Sequence, residues 1–387
     1  MRRSTVRRAA DRRGNILILT AFMMVFMMAL LAVAVDIGYL QMARTQLQKT
    51  ADAAALAAAA ELIDNEAISG HPDMSDEATS ARAFAIQYAA LNKVCSASPT
   101  VDSNPNNDAV GDIVLGYLAD PSDRNATMDF SSTNRYNAVQ VRVRRTVNQN
   151  GEVPFFFARV LGIQTAPVQA TATAALMNTV GGFRTPPDGS NLNILPYALD
   201  KNSWDALMAG TGNDAWSWDE VSGAVHGGAD GIKEVNLFPQ GTGAPGNRGT
   251  VDIGSSNNST SDIARQIVDG ISPSDLAHLG GQIKFDAQDQ LYLNGDTGIS
   301  AGVKDELASI RGQPRVIPLF SQVVGPGNNA QYTIVAFAGI RVMEVVLTGS
   351  QNSKRILVQP APVVASGMIP GTSGQGSFVY SPVWLVR

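Results

Sequence analysis

The chain has 387 residues, of which 44% are hydrophobic and 16% are charged, and its formal net charge is -5. This length predicts two or three domains, at about 150 residues each, and the composition excludes bulk disorder and a multi-span membrane protein. Because six Arg and one Asp occupy the first fourteen residues, the remaining chain is acidic, which argues against a nucleic-acid-binding function.

The composition also limits the metal and disulfide chemistry of the chain. Cys95 is the sole cysteine, which excludes an intramolecular disulfide and a Cys-based zinc or iron–sulfur site. The three histidines, His71, His226 and His278, are widely spaced. We therefore expect no metal site.

The first predicted element is a transmembrane helix, assigned to residues 16–40, which follows a basic cytoplasmic stub at residues 1–15. Residues 16–35 carry no charge, and as a helix they would be about 30 Å long, enough to cross the hydrocarbon core. The arginines precede this segment, so the positive-inside rule predicts a cytoplasmic N-terminus and an extracytoplasmic bulk. A cleaved signal peptide is the competing interpretation, although its apolar core is usually about 7–15 residues long.

The helix is predicted to continue beyond the membrane, because residues 51–62 contain eight alanines and alanine is the strongest helix former. Apolar residues recur there at three- or four-residue steps and define one face. This face either packs internally or binds a partner protein. Ala53 and Ala60 are assigned to the outer face of the same helix. Asp36, at its start, is either an interfacial stop or the ion-pair partner of another protein. The candidate interface residues are Asp36, Leu40, Leu47, Ala51, Ala54, Ala58 and Leu62.

The segment AVDIGYLQMARTQLQKTADAAALAAAAEL, residues 34–62, resembles the N-terminal part of TadE/TadG-like proteins of the bacterial Flp (tight-adherence, type IVb) pilus assembly system. A weaker likeness to the same proteins lies at residues 153–176. The resemblance implies a membrane-anchored structural or assembly protein rather than an enzyme. It also implies that the N-terminal helix contacts the lipid bilayer and other pilus-assembly or membrane proteins.

One departure from pilins concerns processing. In pilins cut by a prepilin peptidase, a Gly is usually followed five residues later by Glu, whereas here Gly14 is followed by Leu19. We therefore expect no cleavage at Gly14, and the TadG-like branch, a membrane-anchored accessory protein, fits better than a true pilin.

After the first helix, residues 41–180 are predicted to form a pilin-like α+β unit. A second helix is expected at residues 76–93, with an apolar face of Ala81, Phe84, Tyr88 and Leu91. Period-two alternation predicts strands at residues 139–147 and 168–176. A strand at 113–118 and a short helix at 154–161 complete the unit.

Residues 181–193 are predicted to be a linker and residues 194–387 a β-rich extracytoplasmic domain, because 29 of the 36 glycines lie after residue 180 and split short apolar runs into strands. Gly339 is expected to mark a bulge or bend. The predicted strands are residues 250–253, 282–285, 315–319, 332–346 and 355–358, and the predicted helices are residues 261–271 and 303–310.

No motif in this domain predicts catalysis. Residues 241–248 lack the Lys and Ser/Thr of a phosphate-binding loop, and no D-x-S-x-S metal motif of a von Willebrand A domain is present. Trp204, Trp216 and Trp218 either line a carbohydrate groove or pack internally. The acidic residues near them, Asp214, Asp219 and Glu220, either bind a cation or are solvated.

The sequence thus predicts an α+β fold with no catalytic, cofactor or metal residues. The predicted function is that of a single-pass structural or assembly protein of a pilus or related surface-secretion system, in the bacterial inner membrane. The alternative is a membrane-anchored extracytoplasmic enzyme or ligand-binding protein.

Overall fold

The computed structural model describes residues 14–63, 73–123, 125–131, 133–237, 249–254, 259–295, 301–326, 329–350, 353–371 and 376–386. The helices are α1 (Gly14–Ala60), α2 (Ser75–Leu91), α3 (Lys201–Met208), α4 (Thr260–Asp269), α5 (Pro273–His278) and α6 (Lys304–Ser309), with 3-10 helices at Ala158–Leu161 and Ala301–Val303. The strands are β1 (Ile113–Gly116), β2 (Ala138–Arg145), β3 (Val153–Pro154), β4 (Thr165–Ala166), β5 (Val168–Ala175), β6 (Val180–Arg184), β7 (Leu199–Asp200), β8 (Trp216–Asp219), β9 (Ala224–Gly227), β10 (Val235–Asn236), β11 (Gln282–Lys284), β12 (Leu291–Asn294), β13 (Pro314–Val324), β14 (Gln331–Val346), β15 (Arg355–Pro360), β16 (Val363–Val364), β17 (Met368–Pro370), β18 (Gly376–Ser377), β19 (Val379–Tyr380) and β20 (Trp384–Leu385). The predicted α+β fold class is confirmed.

Helix α1 is continuous over 47 residues. It contains no Pro, and its second half is rich in alanine, so nothing in the sequence interrupts the helical hydrogen bonds. The side chains of residues 16–31 are exposed, whereas from Ala43 onward one face is fully buried. A single helix therefore serves as an apolar, exposed rod at one end and as a core element at the other.

The N-terminal sheet has the order β1-β2-β5-β20, and its strands are antiparallel. In β2, Val139, Val141 and Val143 are buried toward the helices, as the period-two pattern predicts. Both α1 and α2 pack against this sheet. The predicted strands 113–118, 139–147 and 168–176 are thus present as β1, β2 and β5.

Of the predicted apolar face of α2, Ala81 is buried, but the rest of the inward face differs from the prediction. Ala81, Ala85 and Ala89 are buried, whereas Leu91 is 68% exposed and Tyr88 is 39% exposed. Because α1 also offers an alanine face, small side chains on both helices allow their backbones to approach closely. The larger apolar residues of α2 are therefore left outside this contact.

The predicted short helix at residues 154–161 is only partly helical. Strand β3 pairs with β4 in a two-stranded hairpin, and the 3-10 helix Ala158–Leu161 lies in the connection between them. Gly162 ends this helix with a φ of 86°, a left-handed conformation that glycine adopts without strain.

The C-terminal half is organised around β14. The central sheet has the order β10-β15-β14-β13-β7, and β12 and β18 also pair with β14. Its core contains Phe183, Phe285 and Phe337, whose ring centroids lie 5.0 Å and 5.4 Å apart in the pairs that Phe337 forms. Aromatic rings in such edge-on or tilted pairs fill large volumes and attract one another.

Gly339 does not mark a bulge as predicted. The pairing register between β13 and β14 shifts at Leu319/Phe320 and Phe320/Gln322, and the register between β14 and β15 shifts at Val342/Glu344. A Cβ atom at Gly339 would lie 2.3 Å from the carbonyl oxygen of Ala361 and 2.5 Å from that of Phe378. Glycine is therefore required here for close backbone approach, the other common reason for a glycine within a strand.

The strand pairing departs from the predicted domain division in two places. Residues 181–184 of the predicted linker belong to β6, which pairs with β11 and β17, and β20 returns to pair with β5 of the N-terminal sheet. One hydrophobic cluster also extends from Ala43 to Tyr380. The division into units 41–180 and 194–387 remains a proposal, and the two share a core.

Candidate functional site

The predicted interface residues of α1 lie on one face, and most of that face is covered by the chain itself. Gln48 and Thr50 of α1 also donate hydrogen bonds to the carbonyl oxygens of Thr171 and Asn92. Within the single chain this face therefore packs internally, and its contact with a partner protein stays a prediction. The relative exposures are Asp36 3%, Leu47 0%, Ala51 0%, Ala54 0%, Ala58 0% and Leu62 1%, and Leu40 is half-buried.

Asp36 is the first residue of this buried face, and its partners lie in its own chain. Its Oδ1 accepts a hydrogen bond from the backbone N–H of Phe156 at 2.7 Å, and its Oδ2 accepts from Phe157 at 3.0 Å and Ala158 at 2.6 Å. These N–H groups open the 3-10 helix Ala158–Leu161, so their hydrogen bonds are not satisfied within that helix. The carboxylate thereby fixes the β3–β4 connection to α1.

The same connection exposes a series of apolar side chains. Tyr39 of α1 packs edge-on against Phe156, with ring centroids 5.0 Å apart. Val33, Val35 and Ile37, which flank Asp36 and Tyr39 in α1, are also about half exposed. The exposed residues of the connection and their relative exposures are Phe156 57%, Phe157 49%, Val160 89%, Leu161 76% and Ile163 54%.

The three tryptophans of the predicted carbohydrate groove do not form one surface. Trp204 is 1% exposed and packs near Phe378. Trp216 and Trp218 are half-buried in β8 and stack against the guanidinium groups of Arg311 and Arg341, at 4.6 Å and 4.1 Å from the ring centroids. Cation–π stacking of this kind uses ring faces that a sugar would otherwise contact.

The acidic residues near these tryptophans bind backbone groups. Asp214 accepts from the N–H groups of Asp230 and Gly231, and Asp219 accepts from Val221. Glu234 is 3% exposed and accepts from Ala215 and Trp216, and its burial raises its pKa. Over the described parts of the chain, no group of three or more His, Cys, Asp or Glu residues is placed to hold a metal ion.

A cleft of about 720 Å³ lies beside α2 and is lined by Arg82, Asn107 and Tyr136 among other residues. The Arg82 guanidinium donates to the carbonyl oxygens of Ser103 and Ile113 and to Oδ1 of Asn107. Its hydrogen-bonding capacity is thus used to hold the surrounding loop. Residues 241–248, with the loop that superficially resembled a phosphate-binding motif, lie outside the described residues.

These features define a class: an α+β protein built on one long helix that is apolar enough over residues 16–35 to be a candidate membrane span. A family model described as Flp pilus-assembly TadE/G-like matches residues 14–61, and a second, described as Tad-like Flp pilus-assembly, matches residues 46–174. The chain is thus similar to TadE/G-like Flp pilus-assembly proteins over residues 14–61 and to Tad-like ones over residues 46–174, and the resemblance is confirmed. Neither the curated proteins nor the solved structures contain a match.

Sequence reasoning identified Asp36 but missed its partners, which lie 120 to 122 residues further along the chain. A signal for them was present. The segment 155–163 is rich in large apolar residues, and it falls within the weaker family likeness at 153–176. Because residues 34–62 and 153–176 both resemble the same family, the two segments are candidates for contact with one another.

Proposed function

We propose that this chain is a single-pass, membrane-anchored structural or assembly protein of a bacterial Flp pilus or related surface-secretion system, of the TadG-like branch. Its N-terminus lies in the cytoplasm and its folded body lies outside the inner membrane. The observation that carries the proposal is the continuity of α1, whose exposed apolar half and buried alanine half are one helix.

This continuity has a mechanical consequence. The exposed apolar half, residues 16–35, is about 30 Å long, and the distance from Asp36 to Ala60 is about 36 Å along the same axis. No loop separates the two, so the orientation of the span fixes the orientation of the body. Such a coupling suits a protein that positions other components relative to a membrane.

Partner proteins of the pilus system contact the exposed surface of α1 in this proposal. The buried stripe through Leu47, Ala51, Ala54 and Ala58 is already used by the chain's own sheet and by α2. The exposed side chains of the first half, by contrast, make no internal contact that buries them. A helix in a membrane associates through such surfaces by close packing and interhelical hydrogen bonds.

Topology is the first test. Protease added to spheroplasts should degrade the chain beyond residue 36, while a cytoplasmic marker protein in the same sample stays intact. Detergent-permeabilised spheroplasts provide the positive control for the protease. Full protection of the chain in intact spheroplasts would place the body in the cytoplasm and would contradict the proposal.

Processing and pathway are tested separately. Mass spectrometry of the purified protein should show no mature N-terminus at Asn15, because Leu19 stands where a prepilin peptidase substrate has Glu. An N-terminus at Asn15 would instead assign the chain to the pilins.

Deletion of the gene should reduce surface pili in electron micrographs, and a plasmid copy should restore them. Normal pili in the deletion strain would reject the assembly function and favour the alternative of an extracytoplasmic enzyme or ligand-binding protein.

A further inference from the structure

The connection between β3 and β4 places large apolar side chains in solvent on a hairpin with little core of its own. Phe156, Phe157, Val160 and Leu161 are each about half exposed or more. Isolated exposed apolar residues are normal on a protein surface, but a contiguous group marks a contact with a membrane or another protein.

The position of this connection along α1 is fixed by Asp36. Its carboxylate holds the backbone N–H groups of Phe156, Phe157 and Ala158, and Tyr39 packs against Phe156 from the same helix. Asp36 is one residue past the uncharged segment 16–35, which corresponds to about 1.5 Å along the helix axis. The polar interface of a bilayer is several ångströms thick on each side of its hydrocarbon core, so the connection lies at interfacial depth.

We propose that residues 155–163 form a second membrane contact, here called the membrane collar, which inserts into the phospholipid leaflet on the side of the folded body. This proposal depends on α1 being the membrane anchor. The apolar side chains of the collar enter the boundary between headgroups and acyl chains. Exposed Arg159, within the same turn, reaches the phosphate groups.

A lipid leaflet is the occupant that the surroundings of the collar favour. The collar is held at Asp36 and Tyr39 of α1. The neighbouring helix residues Val33, Val35 and Ile37 are about half exposed and continue the apolar segment of the span. A partner protein would need to fit between the collar and the bilayer surface at this depth. The pairing of aromatic and aliphatic side chains with an arginine is also typical of segments that lie in a membrane interface.

The collar makes the anchoring more than a single-point attachment. One helix alone permits the span and the body that is fixed to it to tilt and rotate together in the bilayer, and the tilt of a membrane helix is set largely by interfacial anchors. A second contact beside the helix limits this tilt to the side on which the collar inserts. The body then presents a constant side to other components at the membrane surface.

The test uses depth-dependent quenching in the full-length protein. Cys95→Ser removes the native thiol, and Val160→Cys or, in a second variant, Leu161→Cys provides a site for an environment-sensitive fluorophore. The protein is reconstituted into vesicles of phosphatidylethanolamine and phosphatidylglycerol with and without acyl-chain-brominated phosphatidylcholine. Val160 and Leu161 are 89% and 76% exposed, so labelling either one leaves the fold intact.

Two further labels complete the experiment. Met28→Cys reports the span, and Val221→Cys, in the turn between β8 and β9 and 98% exposed, reports an apolar position in the C-terminal half. The proposal expects bromolipid to quench the labels at residues 160, 161 and 28 at least twofold more than the label at residue 221. Quenching at residue 28 with none at 160 and 161 would overturn the collar and leave the anchor in place, whereas no quenching at residue 28 would overturn the anchor itself. If the fluorescence of a collar label reports burial only after another pilus protein is added, the lipid assignment is also overturned.

Discussion

The hydrophobic cores of the two halves of the molecule are built from side chains of opposite size, small in the N-terminal half and large in the C-terminal half. In the N-terminal half, Ala51, Ala54 and Ala58 of α1 share one hydrophobic core with Ala170, Ala172 and Ala174 of β5. In the C-terminal half, the core contains interlocking aromatic rings such as those of Phe183, Phe285, Phe320, Tyr332 and Phe337. Both cores are tightly buried, but one achieves this by close backbone approach and the other by side-chain volume.

This difference predicts that the two cores are destabilised by opposite kinds of substitution. An alanine contact has no spare volume, so any larger or charged side chain must displace a helix or a strand. An aromatic core loses stability when a ring is removed, because the cavity does not fully collapse. Three of the four tryptophans, Trp204, Trp216 and Trp218, belong to the C-terminal half, whereas Trp384 lies in β20 of the N-terminal sheet. Tryptophan fluorescence therefore reports mainly the C-terminal half and complements the helical circular dichroism signal of α1.

The largest effect is expected for Ala54→Glu. Ala54 is 0% exposed, so the substitution both overpacks the contact and buries a carboxylate without a counter-charge. We expect a loss of about 5 kcal/mol in the free energy of unfolding, sufficient to detach α1 from the sheet. The measurement is chemical denaturation followed by circular dichroism at 222 nm in detergent.

Ala60→Glu is the matched control for that substitution. Ala60 is the last residue of α1 and is exposed, whereas Ala53, which the sequence also assigned to the outer face, is half-buried. The same substitution at Ala60 should therefore change stability by no more than about 0.5 kcal/mol. Equal small effects at both positions would mean that the alanine face is solvated and that the comparison of the two cores is mistaken.

The second effect in size is expected for Phe337→Ala. Phe337 is 0% exposed and contacts the rings of Phe183 and Phe285. Removal of its ring should cost about 4 kcal/mol and shift the transition that tryptophan fluorescence reports. Phe157→Ala, at a half-exposed position, serves as the control, and a loss there as large as at Phe337 would contradict the assignment of the aromatic core.

The sequence predicted the elements that depend on local periodicity. Strands β5 and β14 agree closely with the predicted segments 168–176 and 332–346, because alternation and β-branched residues are visible within a few positions. The transition from apolar span to alanine-rich helix is visible in the same way. These features need no knowledge of what lies elsewhere in the chain.

The sequence did not predict features that depend on distant partners. The inward face of α2 consists of alanines because small side chains pack closely against the alanine face of α1, and this leaves the larger apolar residues of α2 outside the contact. The return of β20 to β5 joins segments about 200 residues apart, and nothing in two residues of Trp and Leu specifies that pairing. The hydrogen bonds of Asp36 belong to the same class, because a carboxylate does not reveal which N–H groups it will bind.

Each half also contains a buried carboxylate that holds backbone N–H groups, and Asp36→Asn tests the one in the N-terminal half. The amide has one acceptor oxygen in place of two, and its NH₂ group faces N–H donors at Phe157 or Ala158. Hydrogen exchange of the N–H groups of residues 156–158 should accelerate by about tenfold or more. The tryptophan-reported transition should stay unchanged, and a fall in that transition would show that Asp36 supports the whole fold rather than the β3–β4 connection.

The smallest effect is expected at Glu234, the corresponding carboxylate of the C-terminal half. Burial raises its pKa, and Asp214 and Asp230 act in the same direction, while the N–H groups of Ala215 and Trp216 oppose the shift. A carboxyl group whose pKa is higher in the folded than in the unfolded state contributes stability that is fully present below the unfolded pKa. That contribution is lost as the pH rises through the folded pKa.

The stability of wild-type protein relative to Glu234→Gln should therefore increase as the pH is lowered from 8 toward 4.5, because only the wild type takes up the additional proton on folding. Denaturation midpoints read from tryptophan fluorescence at several pH values provide the measurement. Glu220→Gln, at an exposed position in the neighbouring turn, should follow the wild type across the range. A constant difference between wild type and Glu234→Gln would show that Glu234 is ionised equally in both states, and the C-terminal half would then hold its carboxylate as a solvated group, unlike the buried position found here.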